Sequence, residues 1–119
     1  MPGLKVHNEE CRDGVVSFGL EGVLDAHNFE TLEAIFEKHF EAGTYRFVVD
    51  LSRLSYVSSA GAGVFIGAVG VCQDNDGNIV LVQPSQEVRE IFELLGVLHI
   101  FPVVQNQAEA AEVFSKSAA

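Results

Sequence analysis

Positive charge is scarce in this sequence. Seven of its 119 residues are Lys or Arg and 17 are Asp or Glu, which gives a formal net charge of −10 at pH 7. A protein that binds nucleic acid directly needs a basic surface to meet the phosphates, so this balance argues against that class. It argues equally against docking on an anionic membrane surface.

Cysteine is also nearly absent. Cys11 and Cys72 lie far apart and form no CxxC pair. A disulfide framework or a zinc site needs more thiols, or His and Cys at ligand spacing. We therefore expect reduced thiols, no metal or other cofactor, and a cytoplasmic location. The first residues show no basic segment followed by an apolar stretch, so no signal peptide is expected.

Long apolar runs suited to a membrane are missing as well. The longest stretch without charge, residues 54–73, is long enough for a span but contains several serines and four glycines. Such a composition makes a poor membrane segment. We expect no membrane insertion, and instead a loop followed by a buried or docking helix.

What the sequence does have is enough apolar surface for a folded core. Hydrophobic residues make up 48% of the chain and charged residues 20%, which is typical of a globular domain. The length suits one domain, predicted over residues 1–115 and followed by a short tail at 116–119.

Apolar runs bounded by turn signals predict about five strands. The first two, separated by a polar turn, should pair antiparallel. The third and fourth are short and nearly continuous in apolar residues, as in strands buried on both faces. The predicted strands are residues 4–8, 15–20, 46–51, 78–82 and 100–103.

Four predicted helices alternate with these strands. In the first, apolar and acidic residues lie on opposite sides, with Asp25 as the predicted N-cap and Gly43 as the stop. Together the elements predict an α/β fold with a mixed, mainly parallel β-sheet and an N-terminal antiparallel strand pair. The predicted helices are residues 27–41, a glycine-rich helix that begins at Ser58 or Ser59, residues 86–95 and residues 107–114.

The glycine-rich helix is the unusual feature. Each of its four glycines costs about 1 kcal/mol relative to Ala in a helix interior, so the helix must gain something by keeping them. At about 100° per residue, Gly63, Gly67 and Gly70 fall on one narrow stripe with Ser59 at its edge. No charge appears on the helix before its end.

Two explanations of this stripe compete. The bare stripe could let the helix pack closely against its own sheet or a neighbouring helix. Alternatively, it is a neutral face where another protein docks, and a serine in the first turn acts as a switch. A phosphate there would meet free backbone N–H groups and the positive end of the helix dipole. Its charge of about −2 would be incompatible with a close apolar partner.

Three motifs, in matching order and spacing over nearly the whole chain, resemble the STAS domain of the anti-sigma factor antagonist family. The central one runs Asp-Leu-Ser at 50–52 and Tyr-Val-Ser-Ser-Ala-Gly-Ala-Gly at 56–63. Gly-Val-Leu-Asp at 22–25 is similar to the loop after that family's second strand. Residues 88–102, with Leu-Leu-Gly-Val and Ile-Phe-Pro, are similar to its C-terminal section.

The resemblance implies regulation of transcription by partner switching. In that family the unphosphorylated antagonist binds an anti-sigma factor, often itself a serine kinase, and so releases a sigma factor. Phosphorylation of a serine at the start of the second helix ends the binding, and a PP2C-type phosphatase restores it. The matching acceptor here is Ser59, and this chain would catalyse nothing. The implied docking surface comprises Asp25, Ser58, Ser59, Ala60, Gly61, Ala62 and Gly63.

The motif departs from the family's usual residues at three positions. Ser58 stands where Asp is common, Ala60 where a small hydroxyl residue is common, and Ala62 where Leu is common. Ser58 is therefore the second candidate for the acceptor. A STAS interaction scaffold in a signalling or transport complex, never phosphorylated, is the alternative function.

Two other classes fit less well. A response-regulator receiver would use Asp50 as its acceptor, but the acidic pair and the lysine that it also needs are missing; we expect Asp50 to orient the following loop. A hydrolase would need a histidine near an activated serine, and no Gly-x-Ser-x-Gly elbow precedes Ser59.

Overall fold

The computed structural model describes residues 3–117 of the chain. Within them, five strands form one sheet in the order β1-β2-β3-β4-β5, in which β1 is antiparallel to β2 and the other pairs are parallel. The predicted mixed, mainly parallel α/β fold is confirmed. In chain order the elements are β1 (Leu4–Arg12), β2 (Val15–Leu24), α1 (Phe29–Glu41), β3 (Arg46–Val57), α2 (Ser59–Asp74), β4 (Asn78–Val82), α3 (Gln86–Leu94), a 3-10 turn (Leu98–Ile100), β5 (Val103–Val104) and α4 (Gln107–Ser117).

The helices cover the two faces of the sheet unequally. α1, α2 and α3 pack on one face, where the main core includes Phe36, Phe47 and Phe65. α4 packs on the opposite face, where Phe114 meets a small cluster that includes Val48. Successive side chains of β3 and β4 point to opposite faces of the sheet, and the helices on each face bury them. This is the burial predicted for strands covered on both faces.

Three strands are longer than predicted. β1 continues to Arg12 through a register shift after His7, and a tight turn at Asp13 and Gly14, both with positive φ, replaces the predicted longer turn. β2 continues to Leu24 and β3 to Val57, because their second halves pair with each other in parallel. The predicted end of β3 at residue 51 is wrong, and Asp50 lies within the strand instead of opening a loop.

The start of α1 differs from the prediction. The helix begins at Phe29, and Asn28 occupies the N-cap position without capping through its side chain. Asp25 is therefore not the N-cap. Its Oδ1 accepts a hydrogen bond from the backbone N–H of His27 at 2.9 Å, which shapes the loop after β2. Gly43 does follow the helix end with φ of +83°, as expected of a stop signal.

The C-terminal part shows smaller differences. A 3-10 turn precedes β5, which pairs with β4 at residues 103 and 104 instead of 100–103. α4 begins as predicted at Gln107. It extends to Ser117, so its last residues belong to the segment predicted as a tail. Residues 118 and 119 of that tail lie outside the described residues.

Candidate functional site

The ends of β2 and β3 bring two predicted site segments together. Leu24 and Val57 are register partners, and the backbone N–H of Ser58 donates to the Leu24 carbonyl at 2.9 Å. Asp25 follows one strand and Ser58 the other, so both lie at the carboxyl edge of the sheet. In α/β folds this edge is where binding sites usually form.

Gly61 sets the first turn of α2 tightly against these strand ends. A Cβ atom at Gly61 would lie 2.7 Å from Leu24 Cγ and 3.0 Å from Val57 Cγ2. Ala62, the next residue, is also fully buried. These two predicted docking residues therefore position the helix and offer no side chain to a partner, because they face the core. Five of the seven remain at least partly exposed: Asp25, Ser58, Ser59, Ala60 and Gly63.

The two candidate serines have different roles in the structure. Ser58 is the N-cap of α2, and its Oγ accepts a hydrogen bond from the Gly61 backbone N–H at 3.2 Å. Ser58 is half-buried, whereas Ser59, the first helical residue, is exposed. Among the described residues, the Ser59 hydroxyl has no hydrogen-bond partner.

The electrostatic setting of Ser59 is that of a bare helix start. The backbone N–H groups of Ser59 and Ala60 lie at the positive end of the α2 dipole, and no acidic residue occupies the first turn. α2 carries no charged residue before Asp74. An anion covalently attached at Ser59 would therefore meet the positive end of the dipole and no carboxylate from the first turn of its own helix.

The glycine stripe faces outward. A Cβ atom at Gly63, Gly67 or Gly70 would meet nothing within 4 Å, and all three residues are exposed. Close packing inside the domain therefore does not explain the stripe. The explanation by close packing holds only for Gly61, which lies off the stripe.

Within residues 3–117, two groups have altered acidity, and neither is at the start of α2. The pKa of Glu9 is lowered by its hydrogen bonds to Lys38 Nζ at 2.6 Å and to His39 Nε2 at 2.8 Å, which join β1 to α1. Burial raises the pKa of Cys72 to about 12. Cys72 lies on the inner side of α2, so its thiol is protonated and inert at neutral pH.

Between described residues, no histidine side chain forms a hydrogen bond with Ser58 or Ser59. His39 is engaged by Glu9, and His27 has its ring largely in solvent beside Asp25. In the described part of the chain, no three or more His, Cys, Asp or Glu side chains are grouped so that they could hold a metal ion. No helix within residues 3–117 has both the length and the apolar content to cross a bilayer.

Comparison with known proteins decides the family. The STAS domain model matches residues 8–110. The Bordetella bronchiseptica protein BtrV, named as an anti-sigma factor antagonist, is 39% identical over 102 residues, which cover 86% of this chain and 88% of BtrV. The chain belongs to the STAS domain family.

Solved structures show the same STAS fold. An anti-sigma factor antagonist from Mycobacterium paratuberculosis matches with a TM-score of 0.81 at 20% identity, covering 93% of each chain. Unphosphorylated SpoIIAA matches with a TM-score of 0.78 at 24% identity, covering 96% of this chain and 97% of SpoIIAA. SpoIIAA from Bacillus has also been solved in a phosphorylated form. At these identities the likeness establishes the fold.

One exposed aromatic residue of this STAS domain was not among the predicted site residues. Tyr56 precedes the N-cap Ser58 by two residues and is 46% exposed. It lies at the end of β3, which the sequence patterns placed in a loop. The available signal was an aromatic residue at the first position of this part of the motif, directly after Ser55, since aromatic residues are enriched in protein interfaces.

Proposed function

We propose that this STAS domain is a cytoplasmic anti-sigma factor antagonist in a phosphorylation-controlled partner switch. In its unphosphorylated form it binds an anti-sigma factor that is also a serine kinase, and a sigma factor is released. The kinase phosphorylates Ser59, which ends the binding, and a PP2C-type phosphatase restores the unphosphorylated form. The chain itself catalyses no reaction in this cycle.

The observation that carries this proposal is the exposed hydroxyl of Ser59, which has no hydrogen-bond partner in the described part of the chain and lies in a first helical turn without acidic residues. The γ-phosphoryl group of ATP would pass to Ser59 Oγ, which loses its proton, and ADP would leave. The helix dipole favours an anion at this position by about 0.3–1 kcal/mol. The fold therefore accommodates the modification.

The same phosphate is incompatible with a closely docked partner. Of the predicted docking residues, Ser58, Ser59, Ala60 and Gly63 are uncharged and at least partly exposed, and the one charged member, Asp25, is an acid that supplies no counter-charge to a phosphate. Covering a group with a charge of about −2 with an apolar interface would remove its water without supplying a counter-charge. Docking and phosphorylation therefore exclude each other.

Ser59 is favoured over Ser58 as the acceptor because of their different hydrogen bonds. The Ser58 hydroxyl oxygen accepts from the Gly61 N–H and is half-buried, so its phosphorylation would remove the helix cap. Ser59 makes no such bond among the described residues and can reach a kinase without disturbing the helix.

The test is phosphorylation by a candidate kinase-type anti-sigma factor with ATP, followed by mass spectrometry. We expect one phosphate on wild type and Ser58→Ala, and none on Ser59→Ala. Partner affinity should then be kept in Ser59→Ala and lost in Ser59→Asp. Phosphate on Ser58, or equal affinity of the Asp and Ala variants, would contradict the switch. Stable binding without any phosphorylation would favour the STAS scaffold.

A further inference from the structure

A shallow apolar groove separates α1 from α2 on the solvent side of the core. Its volume is 220 Å³, and its walls include Phe36 and Phe40 from α1 and Val64 and Val71 from α2. Val71 is 40% exposed, one of four large hydrophobic residues with such exposure among the described residues. We call this feature the α1–α2 groove.

The length of the α1–α2 groove suits the row of side chains on one face of a short helix. From Gly63 to Val71 it follows nine residues of α2, and the helical rise between the first and the last is about 12 Å, or two turns, at about 1.5 Å per residue. An amphipathic helix presents apolar side chains at i, i+3 or i+4, and i+7 over that length. Gly63 and Gly67, which have no Cβ, leave its floor open for a close approach.

The charges along the α1–α2 groove are one-sided. Glu33 and Glu37 border it on α1, whereas α2 has no charge before Asp74. The two glutamates are one turn apart, so their carboxylates repel each other. Among the described residues neither forms an ion pair, and Lys38 of the same helix pairs with Glu9. The α1 side of the groove is thus complementary to a basic group.

We propose that the α1–α2 groove receives an amphipathic helix of the anti-sigma factor, apolar on one face and carrying Lys or Arg on the flank that faces α1. The inference rests on the proposed function for the identity of that partner. Gly63 lines the groove and belongs to the first turns of α2 beside Ser59, so one partner can cover both surfaces.

Blocking the floor of the groove tests the proposal with a matched control. Gly67→Leu fills the groove, while Gly70→Leu places the same side chain on the same exposed helix face outside the lining. We expect Gly67→Leu to weaken binding of the unphosphorylated protein to the anti-sigma factor by about tenfold or more, and Gly70→Leu by less than about twofold. Equal affinities of the two variants, both shown folded by circular dichroism, would overturn the proposal.

A second matched pair of variants tests the charges along the groove. Glu33→Lys with Glu37→Lys changes the rim of the groove, whereas Glu30→Lys with Glu41→Lys makes the same change of net charge elsewhere on α1. Long-range steering depends on the total charge and changes alike in both. The rim variant should bind about tenfold more weakly than the control variant. An equal loss of affinity in both variants would contradict a contact between the groove and basic residues of the partner.

A designed peptide probes the groove without the partner. The probe is a helical peptide with Leu on one face and Lys along one flank, compared with the same peptide carrying Glu. In NMR titrations up to about 1 mM, the Lys peptide should shift the amides of Gly63 and Gly67 and leave Gly77 unchanged. Absence of these shifts, or equal shifts with the Glu peptide, contradicts the proposal. Shifts that grow with protein concentration alone would show that a second copy occupies the groove.

Ser59→Asp separates failure of this inference from failure of the proposed function. If the groove is right and the switch wrong, Ser59→Asp binds the partner normally and Gly67→Leu does not. If the switch is right and the groove wrong, the effects are reversed. Binding of the Lys peptide should change by less than about twofold in Ser59→Asp, because the groove lies along α2 beyond its first turn.

Discussion

The two sides of α2 use glycine in opposite ways. On the inner side, Gly61 is enclosed so tightly that a single added carbon would lie within 3 Å of two atoms of Leu24. On the outer side, Gly63, Gly67 and Gly70 have open space where a side chain would be. The first glycine is required by the fold, and the other three weaken the helix without any packing benefit inside the domain.

The difference between the two sides separates residues of α2 that the fold requires from residues that the fold does not explain. The inner side also holds Phe65 and Cys72, both fully buried, so its residues are explained by the core. The outer side has no such internal explanation, and two of its three glycines, Gly63 and Gly67, line the groove that we assign to a partner. Four predictions test the contrast between the two sides.

The largest effect is expected from the inner side. Phe65 is fully buried with its ring centroid 5.9–6.3 Å from those of Phe36, Phe92 and Phe101. Phe65→Ala should lower the free energy of unfolding by about 3–5 kcal/mol through lost contacts and a cavity. Val71→Ala on the outer side should change it by no more than about 0.5 kcal/mol. Urea denaturation measures the free energy of unfolding of both variants. Similar losses in the two would contradict the difference between the inner and outer sides of α2.

A smaller loss is expected when one methyl group is added to the inner glycine. Gly61→Ala gains up to about 1 kcal/mol of helix propensity, but overpacking against Leu24 and Val57 costs about 1–3 kcal/mol. The net result should be a loss of about 1–2 kcal/mol in the free energy of unfolding. A more stable Gly61→Ala variant would show that the first turn of α2 is not closely held.

The serine pair distinguishes the cap from the exposed position. Ser58→Ala removes the hydrogen bond to the Gly61 N–H and should cost about 1 kcal/mol of stability. Ser59→Ala should change stability by less than about 0.5 kcal/mol, since its hydroxyl has no partner among the described residues. Thermal unfolding of the two variants checks this, and the opposite order would reverse the assignment of the cap.

The smallest effect has the opposite sign. Gly70→Ala adds a methyl group in open space and should stabilise the protein by up to about 1 kcal/mol. Its binding to the anti-sigma factor should be unchanged, because Gly70 lies outside the lining of the α1–α2 groove. Destabilisation in the same urea assay would mean that this face packs on something in the folded monomer.

Local sequence signals were sufficient where an element is defined by its own residues. β4 was predicted with its observed bounds, because a turn with Asp76 and Gly77 precedes a continuous apolar run. α2 begins within the predicted Ser58–Ser59 choice, because serine is a favoured N-cap.

The remaining features depend on contacts that the sequence does not display. The second half of β3 contains exposed Ser52 and Arg53, and only its pairing with β2 makes it a strand. Asp25 has the residue type of a cap, but Asn28 holds its backbone in a different turn. The outward direction of the glycine stripe and the existence of the α1–α2 groove depend on how α1 and α2 pack together, which periodicity alone does not determine.

The most direct test of the account is the affinity of the wild-type protein for its anti-sigma factor before and after stoichiometric phosphorylation of Ser59. A genuine phosphate, unlike an Asp substitution, carries the full charge that the account invokes. We predict that the dissociation constant rises by at least about tenfold, since the neutral surface would have to cover that charge. An unchanged dissociation constant, with the phosphate located on Ser59, would contradict the account.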